Sequence, residues 1–306
     1  MKTITILLPT YNEASSFDEL KVCMAQVIID NPQYEWEFLM VNDGSTDESL
    51  QLMKQLCQSD MHYHYIDLSR NYGKEIAIMA GMDYAKGDAV IIMDADMQHP
   101  VDVIPEMIRY WEEGYDDVYA QRQRSDESWL KRNTSKIYYK ILQKSTQIPI
   151  QKDTGDFRLL DRKCIEALKK MRERDRNNKG MFSWIGFNKK GINYQQHKRM
   201  HGKTKWNYYK LLNLALTGIT SFTTTPLRFA SFFGIIVSFF AFLYLVYIII
   251  KTILYGDPVQ GYPTLMVTIL FLGGIQLIAL GIIGEYLSHI FNETKKRPAY
   301  FIREYK

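Results

Sequence analysis

Residues 90–100 read VIIMDADMQHP, an apolar run that stops at two carboxylates, Asp94 and Asp96, with Gln98, His99 and Pro100 behind them. The run has the unalternated apolar character of a strand covered on both faces. A core strand with two acids at its tip needs an opposite charge at that tip. On an extended backbone, residues i and i+2 point to the same side, so Asp94 and Asp96 are expected to project together. With the amide oxygen of Gln98 they make a ligand set for a hard divalent cation, Mg²⁺ or Mn²⁺, which would share its other positions with phosphate oxygens. The alternative is a solvated acidic turn.

Working outward, residues 3–8 read as a strand ending at Pro9. Ser15 and Ser16 then open a helix to about residue 29, with Asp18 and Glu19 in its first turn. Residues 36–41 form a second strand, and NDGSTDES turns it into a helix through about residue 58. A third strand spans 63–68, a third helix 74–85, and a fourth strand 89–93. This alternation predicts an α/β, doubly wound domain, a parallel sheet with helices on both faces. Ligands of such sheets bind beyond the carboxyl ends of the strands. All four ends here are polar: residues 9–13 (PTYNE), 42–45 (NDGS), 69–71 (SRN) and 94–96 (DAD). His62 and His64 alternate with Tyr63 and Tyr65 and read as one polar strand face.

Farther along, residues 129–143 suggest a basic, aromatic helix. In DTGDFRLLDR (153–162) the Gly155-Asp156-Phe157 segment reads as a turn carrying a carboxylate. A helix to about residue 174 and a charged, mobile loop at 176–179 are expected next. Residues 204–222 alternate Trp, Tyr and Leu with few charges, as an interfacial helix would.

The 306-residue chain has a mean hydropathy of -0.24, which averages over a sharp division. Residues 229–250 and 262–284 hold no charged side chain, and each run of about 22 residues suffices to cross a hydrocarbon core of roughly 30 Å. The expected organisation is a domain at 1–203, a juxtamembrane segment at 204–228, spans at 229–250 and 262–284 joined by an exterior loop at 251–261, and a tail at 285–306. Arg228 precedes the first span, and Lys295, Lys296, Arg297, Arg303 and Lys306 follow the second. That bias predicts a multi-pass protein of the cytoplasmic membrane with both termini in the cytoplasm. Gly273, Gly274, Gly281 and Gly284 would let helices approach closely, within the hairpin or between subunits of a homo-oligomer. A net charge of +4 gives no reason to expect nucleic acid. Three scattered cysteines suggest neither disulfides nor a zinc site. The opening MKTITILLPTYNE does not read as a signal peptide.

LPTYNE, VNDGSTD, SRNYGKE and DADMQHP, in that order, resemble glycosyltransferase family 2. Together with DTGDFRLLDR, RMHGKTKW, TSFTTTPLR and the two apolar runs, the chain more closely resembles the polyprenyl-phosphate glycosyltransferases. That group includes dolichol-phosphate mannose synthases and bacterial bactoprenol glucosyltransferases. The resemblance covers nearly the whole chain and implies a GT-A type domain with a nucleotide diphosphate-sugar donor. It implies that Pro9, Tyr11, Glu13, Val41 and Asp43 hold base and ribose. A Tyr that stacks and acids that accept ribose hydroxyls suit that task, although Asn12 and Asp43 could instead cap the helices that follow them. Asp94, Ala95, Asp96 and Gln98 would line the metal–diphosphate site. Arg122, Arg199 and Lys205 match phosphate-contacting positions, and Arg70 either supports Asp96, meets the donor or forms a structural ion pair. Asp156 is the first choice for an acid–base or acceptor-orienting carboxylate and Asp153 the second, the alternative being a turn Asp paired with Arg158 or Arg162.

The implied activity is inverting transfer of one sugar, glucose in the first instance, from a UDP-sugar to undecaprenyl phosphate at the cytoplasmic membrane face. A mannosyl or amino-sugar transferase on the same carrier is the nearest rival, and a non-catalytic membrane scaffold a remote one. A processive polysaccharide synthase is disfavoured by the lack of a Q-x-x-R-W motif and by only two spans.

Overall fold

A computed structural model describes residues 1–97, 99–122, 154–174, 176–194, 225–255 and 261–306. Four strands, β1 (Thr3–Thr10), β2 (Glu35–Asn42), β3 (Tyr63–Leu68) and β4 (Ala89–Ile92), pair in parallel in the order β4-β1-β2-β3. Each is almost wholly buried, as expected for parallel strands covered on both faces. Ile4, Ile6 and Leu8 of β1 pack with helices α1 (Phe17–Asp30) and α4 (Ile104–Glu112), through Leu20, Met24, Ile104 and Met107. Helix α2 (Ser49–Ser59) lies against β2 and β3, with Met53 and Leu56 in the same core. The alternate residue Leu7 faces helix α3 (Lys74–Tyr84), which comes so near that a Cβ on Gly81 would sit 2.0 Å from Leu7 Cδ1. The polar faces of His62 and His64 are half-buried while Tyr63 and Tyr65 are core residues.

The sheet is mixed rather than wholly parallel. Strand β5 (Asp117–Arg122) and strand β6 (Thr154–Asp161) are antiparallel to one another, β6 is antiparallel to β4, and β7 (Lys189–Tyr194) runs parallel to β5 at the edge. Asp156 therefore lies in a strand and not in the expected turn. β6 leads directly into helix α5 (Arg162–Lys169), where Asp161 caps the helix by accepting from Lys163 N; this helix ends well before residue 174. The segment around 176–179 is not an open charged loop either. Arg176 is buried and donates to the Met171 carbonyl, and Asn177 caps helix α6 (Asn178–Trp184).

The first 211 residues and the last ten form one compact unit, and residues 212–296 another. In the second unit, helices α7 (Thr225–Tyr255) and α8 (Tyr262–Thr294) pack on each other. Both are long and apolar enough to cross a membrane, and neither buries its apolar window within the protein. At 31 and 33 residues they measure about 46 and 50 Å, more than the hydrocarbon thickness requires. The second helix continues ten residues past the expected end of the span. Among the described residues, a Cβ on Gly273, Gly274, Gly281 or Gly284 would meet nothing within 4 Å. The chain then returns to the first unit. Residues expected as tail contain strand β8 (Ile302–Tyr305), antiparallel to β3 at the edge of the eight-stranded sheet β7-β5-β6-β4-β1-β2-β3-β8. The helix candidate at 129–143 and the interfacial segment at 204–222 lie outside the described residues.

Candidate active site

The carboxyl ends of β1, β2 and β4 open onto a cavity of about 700 Å³, a size that suits a nucleotide-sized ligand. Pro9, Tyr11 and Glu13 line it from the end of β1, Asp43 from β2, and Asp94, Ala95 and Asp96 from β4. Seven expected residues thus share one wall. Val41 does not: it is fully buried inside β2, with the cavity beyond its strand end.

The turns that carry these residues interlock. The Asp43 carboxylate accepts from the backbone N–H groups of Tyr72 (2.7 Å) and Gly73 (2.9 Å), so it braces the start of α3 and not the helix that follows it in sequence. Burial pushes the Asp43 carboxyl up, only partly offset by those two N–H donors. Gly44 has φ of 68°, and a Cβ there would lie 2.5 Å from Asn71 N. Only glycine tolerates both constraints. Asn12 also takes a left-handed conformation, at φ of 56°, and its side-chain oxygen accepts from Thr46 N at 2.8 Å. It ties two turns together instead of capping its own helix.

The acidic pair does not sit on extended backbone. β4 leaves its ladder at Ile92, and the chain turns through Ala95 and Asp96 to a left-handed Met97 at φ of 54°. What Asp94 meets is set by the neighbouring strand. Ile92 pairs with Arg158 in the antiparallel register, and Asp94, two residues on from Ile92, and Asp156, two residues back from Arg158, leave the paired strands at the same end. Between them stands Lys74, whose ammonium is 2.6 Å from Asp94 Oδ1 and 2.7 Å from Asp156 Oδ2. Burial would lower the Lys74 pKa, but the two carboxylates outweigh it and raise it. For Asp156, burial raises the pKa and the charges of Lys74, Lys179 and Arg158 more than reverse that, holding it below the usual carboxylate range. Its other oxygen, Oδ1, is buried and has no hydrogen-bond partner among the described residues.

Two supports stand behind this group. His99 is buried, stacks on Phe157 at 4.7 Å, and accepts from Asp94 N through Nδ1 at 3.2 Å. Burial lowers its pKa, which favours the neutral ring that this acceptor role needs. Arg158, next to Phe157 in β6, is buried with Asp117 at 3.1 Å and stacks on Phe182 at 4.1 Å. Neither the expected pairing of Asp156 with Arg158 nor one with Arg162 forms as a direct salt bridge; Lys74 takes that place.

These residues could hold a divalent cation. Asp94 and Asp156 already converge on one positive charge, Asp156 keeps a buried oxygen without a partner among the described residues, and Asp96 lines the cavity. Mg²⁺ and similar ions are commonly held by one or two carboxylates together with substrate phosphates. The described residues contain no ready group of three His, Cys, Asp or Glu ligands. Gln98, Asp153, Arg199 and Lys205 lie outside the described residues. Arg122 ends β5 opposite Tyr194 of β7, and its side chain lies outside them too. Arg70 stacks over Tyr72 at 4.4 Å and is not on the cavity wall.

Thr10 and Asn71 on that wall belong to the polar strand ends expected at 9–13 and 69–71, whereas sequence reasoning missed Gly73, Lys74 and Ala77. Lys74 left a signal. It is the first residue of α3, where the helix dipole disfavours a cation, so a specific anionic partner was to be expected. Glu75, beside it, accepts from Asn178 N at 2.8 Å and is pushed up by burial and by Asp156 to about 7.

Comparison with known proteins agrees with this architecture. Residues 5–169 match the family described as glycosyl transferase family 2, and residues 225–290 match the GtrB C-terminal hairpin. A glycosyltransferase of Synechocystis sp. is 45% identical over 98% of this chain and 95% of its own length. The prophage bactoprenol glucosyl transferase homolog of Escherichia coli is 42% identical, with 99% of each chain covered. The bactoprenol glucosyl transferase of Shigella phage SfX is 41% identical with the same coverage. Glucosyl-3-phosphoglycerate synthase from Mycobacterium tuberculosis, solved with Mn²⁺ and uridine diphosphate, gives a TM-score of 0.49 at 13% identity over 72% of this chain and 78% of that one, a likeness too distant to speak for ligands. Seven motif residues gathered on one cavity wall, a family match across the sheet and a second across the apolar hairpin agree: the chain belongs to glycosyl transferase family 2, in the group that carries the GtrB C-terminal hairpin.

Proposed function

We propose that the protein transfers glucose from UDP-glucose to undecaprenyl phosphate at the cytoplasmic face of the membrane. The observation that carries this reading is the convergence of Asp94 and Asp156 on one cation, the Lys74 ammonium, at the cavity wall. The names of the bactoprenol glucosyl transferase relatives support the choice of sugar and carrier.

In this reading Tyr11 stacks on the base while Glu13 accepts ribose hydroxyls. Asp94 and Asp96, with Gln98, would hold Mg²⁺ or Mn²⁺, which when bound neutralises charge growing on the departing diphosphate. Asp156, held behind the cavity wall by Lys74, orients the acceptor. A phosphate oxygen of the lipid carrier forms a bond to the anomeric carbon as the bond from that carbon to UDP breaks. Attack on the opposite face inverts the configuration, from an α-linked donor to a β-linked product. The nucleophile is already an anion, so no proton need be removed, and positioning with electrostatic stabilisation supplies the acceleration. Arg122, Arg199 and Lys205 are assigned to the two phosphate groups, and Arg gives the planar fork that phosphate oxygens favour. Spanning helices hold this chemistry at headgroup level with both termini in the cytoplasm, and the unpacked glycines of α8 suit contact with another copy of the chain.

Incubating the purified protein with a panel of radiolabelled nucleotide sugars and undecaprenyl phosphate tests the reading. Label from UDP-glucose should enter the organic phase. Label from GDP-mannose or UDP-N-acetylglucosamine alone would replace glucose by the rival sugar, and no lipid-linked label from any donor would remove the proposal.

A further inference from the structure

The last strand of the chain lies at the edge of the sheet, yet one of its side chains reaches a fully buried acid. Arg303 donates to Asp67 Oδ2 at 3.3 Å and to the Ser69 carbonyl at 2.9 Å. Asp67 is 1% exposed, and its other oxygen accepts from Asn42 Nδ2 at 2.7 Å. Asn42, itself buried, accepts from Ser45 N at 3.0 Å, and Ser45 Oγ accepts from Asn12 N at 3.1 Å. Asn12 carries Tyr11 and Glu13 on either side, both on the cavity wall. A second route starts just before the same strand. Ser69 N donates to the Phe301 carbonyl, and Ser69 Oγ bonds the Tyr72 hydroxyl at 2.9 Å. Tyr72 N in turn donates to Asp43.

We propose that Arg303 is a positioning residue for the donor nucleotide: through Asp67 and Asn42 it fixes the 43–46 and 11–13 turns against which the base and ribose rest. The inference rests on the nucleotide-sugar reading above. Its physical basis is the cost of a buried carboxylate without its cation. Without Arg303, Asp67 retains Asn42 as its polar partner and must redistribute its hydrogen bonds, and the register of the Asn42–Ser45 turn is what gives way. Glu304 on the same strand provides a built-in control. It faces the other way, to Lys54 on α2, in an exposed pair that touches neither turn.

The test measures UDP binding to the purified full-length protein by calorimetry, together with steady-state kinetics for UDP-glucose and undecaprenyl phosphate. Arg303→Gln should raise the UDP Kd and the donor KM by about threefold to tenfold, in the range of coupling through buried networks. It should leave the acceptor KM and kcat within about twofold. Arg303→Lys should recover part of the loss, and Glu304→Gln should bind UDP as the wild type does. Asp67→Asn should weaken binding, and adding Arg303→Gln to it should cost nothing more, since both act through one contact. Equal UDP binding by wild type and Arg303→Gln overturns the inference. So does an additive double variant, or an equal loss in Glu304→Gln, because either would mean that strand attachment alone matters. A wild-type protein that does not bind UDP at all removes the donor reading, and this inference with it.

Discussion

Lys74 begins a helix at the end where the dipole opposes its charge, and two carboxylates outweigh that opposition. The Lys74 ammonium, with the charges of Lys179 and Arg158, in turn keeps Asp156 ionised although it is buried. For Glu75, one residue on, burial and the charge of Asp156 outweigh Lys74 and Lys179, and its carboxyl is pushed above the ordinary range. Its folded pKa lies above the unfolded value of 4.5, so the native state holds the proton more tightly. The stability from this group is complete below 4.5 and lost as pH rises through about 7. Glu75→Gln keeps a carbonyl for Asn178 N and removes the titration. Thermal unfolding should therefore show a shallower decline for the variant than for the wild type between pH 5 and 8 (about the window the two values bracket); parallel curves would mean that Glu75 is not held protonated. At this scale the sequence was legible where chemistry is local. Asp94, Asp96, Asp43 and Tyr11 follow strand ends directly. The partnership of Asp156 with Asp94 was not legible, because it depends on the register of β6 against β4, strands separated by residues 93–153 of the chain.

Strands β1 to β4 and helices α1 to α3 could be placed from sequence because each carries a buried apolar run or a turn signal of its own. β8 could not: its residues IREY are mostly exposed, and only backbone pairing with β3 makes them a strand. β6 was misread at Gly155 and Asp156 because a Thr-Gly-Asp run is turn-like in composition while its pairing is non-local. Helix α3 crosses β1 with no room for a side chain at Gly81. Gly81→Val would drive side-chain atoms into Leu7, which is itself fully buried with no room to retreat. Overpacking of this kind costs about 1–3 kcal/mol. Urea unfolding should show that loss, whereas the same change at Gly274, where nothing lies within 4 Å, should leave the stability of the sheet unit unchanged.

The whole chain threads a soluble-type sheet, an apolar helical hairpin and then the sheet again, with β8 closing the circuit. A hairpin has both ends on one side, so the proposed orientation puts the first residue and the last in the same compartment. Cysteines introduced at Lys2 and at Lys306 should both resist a membrane-impermeant thiol reagent in intact cells and react after lysis; labelling of both in intact cells would reverse the orientation. The account turns on the acids at the tip of β4 acting with a divalent ion on the diphosphate of the donor. The most direct measurement is electron paramagnetic resonance of Mn²⁺ titrated into the full-length protein with UDP present. Free Mn²⁺ signal should fall as ion binds to the wild type with UDP, and should not fall with Asp96→Ala, a variant that stays folded and loses glucosyl transfer. Undiminished Mn²⁺ binding and full transfer by that variant would contradict the account.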